Sequence, residues 1–232
     1  MKLIRPVVSA TPDEQIVAEV SEVSEVIHPG LIVHAERLKE GPSSIQSQSD
    51  AALAAPGVVQ LALKAQDQGY HAAAIYCFAD PGLEAARERV NIPVAGAGES
   101  SLLIASSLAL KFSVITVLGS LEACIYNTAS RLGIKDRMVS VRWVGIPVPE
   151  LGDRTRLMEA LRREALDAIT KDGAHCVVLG CTGMAGVAYT LEAMLLEEGF
   201  KVPVVDPAVV CVSWGEMLAR LQLKHSKLTY CG

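Results

Sequence analysis

The chain has 232 residues, half of them hydrophobic, 20% charged and only 4% aromatic, which suits one large or two small domains built on an aliphatic core. A formal net charge of -5 gives no electrostatic case for nucleic acid or an acidic membrane surface. No apolar run approaches the ~20 residues of a membrane helix, and residues 1–30 lack the apolar centre of a signal peptide. The expectation is a cytoplasmic protein without nucleic-acid or membrane partners. Its aliphatic surplus is shared between the core and a homo-oligomer interface.

The elements alternate along the chain. Residues 2–8 read as a strand, 12–26 as a helix with Thr11 as cap and Pro12 at its first position, and 31–36 as a second strand. The loop Gly41-Pro42-Ser43-Ser44-Ile45-Gln46-Ser47 leads to a long helix, 49–68, closed by Gly69. A strand then runs to Cys77, followed by a short helix (82–89), a strand (92–95) and a helix (99–109). The second half repeats this order: strand 113–117, helix 121–131, strand 139–144, helix 154–171, a strand to Cys181, helix 187–198, strand 202–205 and helix 209–221. Val- and Ile-rich strands with little alternation, each followed by a helix, indicate an α/β fold of parallel sheets covered on both faces. The halves are expected as two similar domains, residues 1–98 with about 207–232, and residues 99–206.

The cysteines are the informative residues. Six stand singly at 77, 124, 176, 181, 211 and 231, with no Cys-x-x-Cys or His-x-x-x-His pair; this argues for reduced thiols and against a disulfide scaffold or a zinc site. Two of them end matching strand-like runs, His71-Ala-Ala-Ala-Ile-Tyr-Cys77 and His175-Cys-Val-Val-Leu-Gly-Cys181. Each run is followed by a helix and a proline-led strand, Ile92-Pro93-Val94 and Val202-Pro203-Val204. In parallel α/β folds functional loops lie at the carboxyl ends of strands, so one cleft between the halves is expected to hold a thiol on each side. That arrangement removes a proton from one face of a carbon and returns one to the other. Cys124, Cys176 and Cys211 fall within helices or a strand and read as small core residues. Cys231 reads as incidental. Cys176 and Cys181 are expected on opposite faces of their strand. A helix amino terminus near each catalytic thiol is expected to lower its pKa from ~8.5. His71 and His175, at strand starts, are expected to lie away from the chemistry.

Gly41-Pro42-Ser43-Ser44-Ile45, Cys77-Phe78-Ala79-Asp80-Pro81-Gly82-Leu83 and Leu179-Gly180-Cys181-Thr182-Gly183-Met184, in that order, resemble the hydantoin racemase branch of the aspartate/glutamate racemase superfamily. Pro93–Glu99 and Phe112–Thr116 extend the resemblance over most of the chain. It implies a cofactor-independent racemase of 5-substituted hydantoins or a related ureide, acting on a small molecule with Cys77 and Cys181 as paired acid and base; with no ligand cluster in the sequence, no metal is expected. Amino-acid racemisation, decarboxylation or cis–trans isomerisation on the same fold, and non-catalytic ligand binding, are the alternatives. Decarboxylation needs only one cysteine. One segment departs from the branch: Arg5-Pro6-Val7-Val8-Ser9-Ala10-Thr11 stands where an Asn-Pro-Asn-Thr loop is usual. Hydroxyls then replace amides, and the candidate substrate-binding set is Ser9, Thr11, Ser43, Ser44, Phe78, Thr116, Ser120, Thr182 and Gly183. Asp80, Glu99 and Asp206 are candidate supporting carboxylates, Asp80 with helix capping as its alternative role. No arginine other than Arg5 is evident in a strand-end loop.

Overall fold

The computed structural model describes residues 1–8, 11–18 and 29–231. Each half builds one parallel four-stranded sheet. In the first, β1 (Lys2–Arg5) lies between β2 (His34–Arg37) and β3 (Ala73–Ile75), with β4 (Val94–Gly96) beyond β3. In the second, β5 (Phe112–Thr116) lies between β6 (Met138–Trp143) and β7 (Val177–Leu179), with β8 (Val204–Val205) beyond β7. The two orders are the same. The helices are α1 (Gln48–Asp67), α2 (Leu83–Arg89), α3 (Ala97–Leu108), α4 (Glu122–Arg131), α5 (Arg154–Thr170), α6 (Ala188–Glu197) and α7 (Pro207–Arg220). Residues 13–18 are helical as well; the rest of the helix expected over 12–26 lies outside the described residues, as does Ser9. The chain separates into two compact units, residues 1–97 with the segment from Ala208, and residues 98–207.

The strands are shorter than their hydrophobic runs. β1 stops at Arg5 rather than Val8, because Pro6 has no N–H to give the ladder; Val8 N–H instead donates to Pro42 O at 3.0 Å. β3 and β7 keep three residues each. Their ladders open on proline carbonyls, with Ala73 N–H on Pro93 O (2.9 Å) and Val177 N–H on Pro203 O (3.0 Å). They close on the central strands, with Tyr76 N–H on Ile4 O and Gly180 N–H on Ile115 O, both at 2.8 Å. Each cysteine then lies two residues past the strand. The expectation that Cys176 and Cys181 occupy opposite faces of one strand is corrected accordingly: Cys176 is buried just before β7, and Cys181 has left the sheet.

The sheets are fully buried at Leu3, Ile4, Ile75, Phe112, Ile115 and Leu179, each worth about 1.5–3 kcal/mol by removal from water. Helix α1 begins where Ser47 accepts from Asp50 N–H (3.1 Å) and the Asp50 carboxylate accepts from Gln46 N–H (3.0 Å) and the Ser47 hydroxyl (2.8 Å). It continues through Pro56 although proline breaks the hydrogen-bond ladder. Packing outweighs that penalty: Ala54, Val58, Ala62 and Ala65 are fully buried, and a Cβ on Gly57 would lie 2.8 Å from Leu38.

Candidate active site

In the first unit Cys77 is partly exposed and packs on the core built from Ile4, Ile75, Leu83 and Val94. Its N–H turns back to Ile75 O (2.9 Å), and its carbonyl accepts from Asp80 N–H (3.0 Å). Asp80 is buried and takes a left-handed backbone, φ 47°, which Asp tolerates better than most residues. Helix α2 follows with Gly82 as its N-cap, φ 70°, and no side-chain cap. The first N–H of α2, that of Leu83, donates to the Asp80 carbonyl at 3.2 Å, and the Asp80 carboxylate packs over Gly96, where a Cβ would lie 2.6 Å from its Cγ. Phe78 is buried beside the thiol segment.

In the second unit Cys181 caps a single 3-10 turn, Thr182–Met184. Gly183 N–H donates to the sulfur at 3.4 Å, and Met184 N–H to the Cys181 carbonyl at 3.0 Å. The preceding Gly180 is forced by crowding: a Cβ there would meet Thr116 Cβ and Val114 Cγ1 at 2.9 Å. Thr116, fully buried, donates its hydroxyl to Gly180 O at 3.2 Å. That bond ties the end of β5 to the Cys181 loop. Thr182 is buried and Gly183 exposed. Gly186, φ 81°, donates its N–H to the buried Asp206 carboxylate at 2.8 Å. Ser120 is exposed on the 3-10 turn after β5.

The electrostatics of Cys181 run against the expected lowering. Burial pushes its thiol up to about 11, with the N–H groups of Gly183 and Met184 only partly opposing this. Helix α6 starts seven residues later, and a helix dipole acts within about one turn. Burial raises Cys176 further, to about 12, and Cys211 well above its ordinary value. Cys211 lies in α7 against Ile75 O (3.6 Å) and Ala95 O (3.8 Å). Cys124 lies in α4, and Cys231 is exposed.

The remaining candidates are spread more widely. Arg5, buried, donates to Thr11 O (2.8 Å) and pairs with Asp13, pinning the segment after β1. Ser44 accepts from Gln46 Nε2 at 2.8 Å. With Ser43 it lines a groove of about 1240 Å³ between the 38–46 loop and α1. Glu99, buried in the first turn of α3, pairs with Arg131 at 3.4 Å. His71 and His175 are exposed two residues before their strands. Arg154 corrects the expectation that no further arginine attends a strand-end loop: it donates to Gly183 O (3.4 Å) and Ala185 O (3.5 Å). Nothing local marks it, since it reaches that loop from the start of α5. Glycines with left-handed backbone stand five residues after each cysteine, Gly82 (φ 70°) and Gly186 (φ 81°), a common spacing readable in the sequence.

The order of strands, the paired cysteine segments and the proline-led strands all match across the halves, and the comparisons agree with this architecture. The Asp/Glu/Hydantoin racemase family model matches residues 11–213. A hydantoin racemase of Pseudomonas sp. (strain NS671) is 39% identical over 196 residues, 82% of this chain and 75% of the relative. Allantoin racemase from Klebsiella pneumoniae superposes with a TM-score of 0.90 at 32% identity, covering 100% of this chain and 92% of that one. Allantoin racemase from Pseudomonas fluorescens gives 0.88 at 31%, covering 99% and 94%. With its family model spanning most of the sequence and its fold shared end to end, this chain belongs to the Asp/Glu/Hydantoin racemase family.

Proposed function

We propose that the protein is a racemase of hydantoin-type substrates, a 5-substituted hydantoin or a related cyclic ureide such as allantoin, with Cys77 and Cys181 as the acid–base pair. The observation that carries the reading is the common address of the two thiols, each two residues beyond the third strand of an identically ordered parallel sheet. The substrate carbon lies beside a carbonyl, so its proton is already acidified. One cysteine, as thiolate, takes that proton; the C–H electron pair passes into the enolate, and the thiol of the other cysteine delivers a proton to the opposite face. The roles are then exchanged and serve the other enantiomer. A Cys181 thiol raised to about 11 rests protonated near neutral pH, the form in which it delivers a proton to the enolate. Backbone N–H groups of the loops after each cysteine would stabilise the enolate oxygen, worth about 3 kcal/mol for one well-placed donor.

The substrate class follows from the donors. Hydroxyls and N–H groups suit a neutral or weakly acidic ring better than a free α-carboxylate. Asp80, Glu99 and Asp206 support the loops, and residues 1–98 with 207–232 and 99–206 act as the two domains. A small-molecule substrate, a homo-oligomeric assembly and a cytoplasmic location complete the proposal. Purified protein incubated in heavy water with single enantiomers of a 5-substituted hydantoin, allantoin, aspartate and glutamate tests it. Loss of optical rotation with deuterium uptake is expected for the cyclic ureides. Faster turnover of aspartate or glutamate would overturn the substrate class, and no exchange with any of them the enzymatic reading.

A further inference from the structure

Five residues beyond each cysteine the backbone turns left-handed at a glycine, Gly82 (φ 70°) and Gly186 (φ 81°), and a helix follows. In the second unit the Gly186 N–H is held by Asp206, the residue that follows β8. The register shows what stands at that place in the first unit. Val178 pairs with Val205, so Asp206 comes opposite Leu179, and Ile75, which ends β3 as Leu179 ends β7, pairs with Gly96. Gly96 has no side chain to offer there. Its missing side-chain space is filled by the carboxylate of Asp80, with Cγ and Oδ1 at 2.6 and 2.7 Å from where a Cβ would be. Both carboxylates are buried.

We infer that each half carries one positioning carboxylate at the same place in its sheet, supplied from opposite sides: Asp206 from the strand end in the Cys181 half, Asp80 from the cysteine loop in the Cys77 half. Asp206 fixes the Cys181 loop by accepting from Gly186. Asp80 fixes the Cys77 loop by filling the space over Gly96, with its own N–H on Cys77 O and its carbonyl accepting from Leu83 N–H at 3.2 Å. Neither aspartate transfers a proton; each acts through the cysteine whose loop it holds. An Asp or larger side chain at position 96 would collide with Asp80, so the first half has room for its carboxylate from one side only.

The inference rests on the two-thiol reading, and each thiol can be read separately by following deuterium exchange of the enantiomer that its own serine variant silences. In D206A, Cys181-side exchange is expected to fall about tenfold or more, with KM within about threefold and Cys77-side exchange within about twofold of wild type. D206N keeps an oxygen for Gly186 and restores the Cys181 side. D80G keeps the left-handed backbone while removing the carboxylate; it gives the opposite pattern, and D80N restores the Cys77 side. Equal losses on both sides, or Asn variants as impaired as D206A and D80G, would overturn the proposal. Wild-type protein that exchanges neither enantiomer defeats the racemase reading alone. The positioning is then read by site-resolved alkylation with iodoacetamide. There D206A should alter the Cys181 rate about threefold or more and leave the Cys77 rate unchanged; no change at Cys181 would overturn it.

Discussion

Replacing Gly180 with Ala tests the packing that delivers Cys181. A Cβ at this position would lie 2.9 Å from both Thr116 Cβ and Val114 Cγ1 and 3.0 Å from Thr116 Cα. One of these contacts is backbone and another a β carbon, so no flexible side-chain end can swing away. The strands must part, which for an overpacked core costs about 1–3 kcal/mol. Parting them also stretches the Thr116 hydroxyl bond to Gly180 O, 3.2 Å and fully buried, for about 1 kcal/mol more. A total loss of about 2–4 kcal/mol is expected, together with reduced proton exchange on the Cys181 side. Gly152→Ala is the control, because nothing lies within 4 Å of a Cβ there and the substitution should be neutral or stabilising by up to about 1 kcal/mol. Urea unfolding followed by circular dichroism, with the m-value unchanged between variants, measures both. A Gly180→Ala shift below about 0.5 kcal/mol would show that β5 and β7 yield freely and that the glycine is not required by packing.

Three further outcomes follow from the thiols. Cys77→Ser and Cys181→Ser should each abolish racemisation while leaving exchange of one enantiomer, because serine is too weak a base near neutral pH; Cys124→Ser should retain activity, and polarimetry with mass-resolved deuterium uptake reads all three. In the ligand-free protein at pH 8, a Cys181 thiol at about 11 is about 0.1% ionised, so its alkylation should run about 200-fold slower than that of an ordinary thiol and climb about tenfold per pH unit; a plateau below pH 9 would refute this. Cys176 is raised from 9.0 to about 12 by burial, so the folded state holds its proton where the unfolded state releases it. Its contribution to stability is complete below pH 9 and is lost as pH rises from 9 toward 12, and Cys176→Ala should flatten the alkaline fall of the unfolding free energy.

What local chemistry writes into a chain was legible here in advance. Alternating apolar runs and helical stretches announced two α/β halves, Gly69 marked the end of α1, and the repeated cysteine segments marked equivalent places in the two sheets. These signals act between near neighbours, through turn residues, caps and side-chain periodicity. Pro6 also acts locally, ending β1 at Arg5 because it has no N–H for the ladder. Long-range pairing decided the rest. Pro56 is tolerated because α1 buries its small residues against a sheet formed by distant segments. Thr116 became a brace for Gly180, 64 residues away, and Asp206 a partner of Gly186, 20 residues away. Arg154 came to the Cys181 loop from another helix. The protonation of Cys181 was decided in the same way: its two neighbouring N–H groups favour the thiolate, but burial by packed elements opposes it more strongly. Desolvation is a property of assembled layers and has no signature in the residues flanking a cysteine.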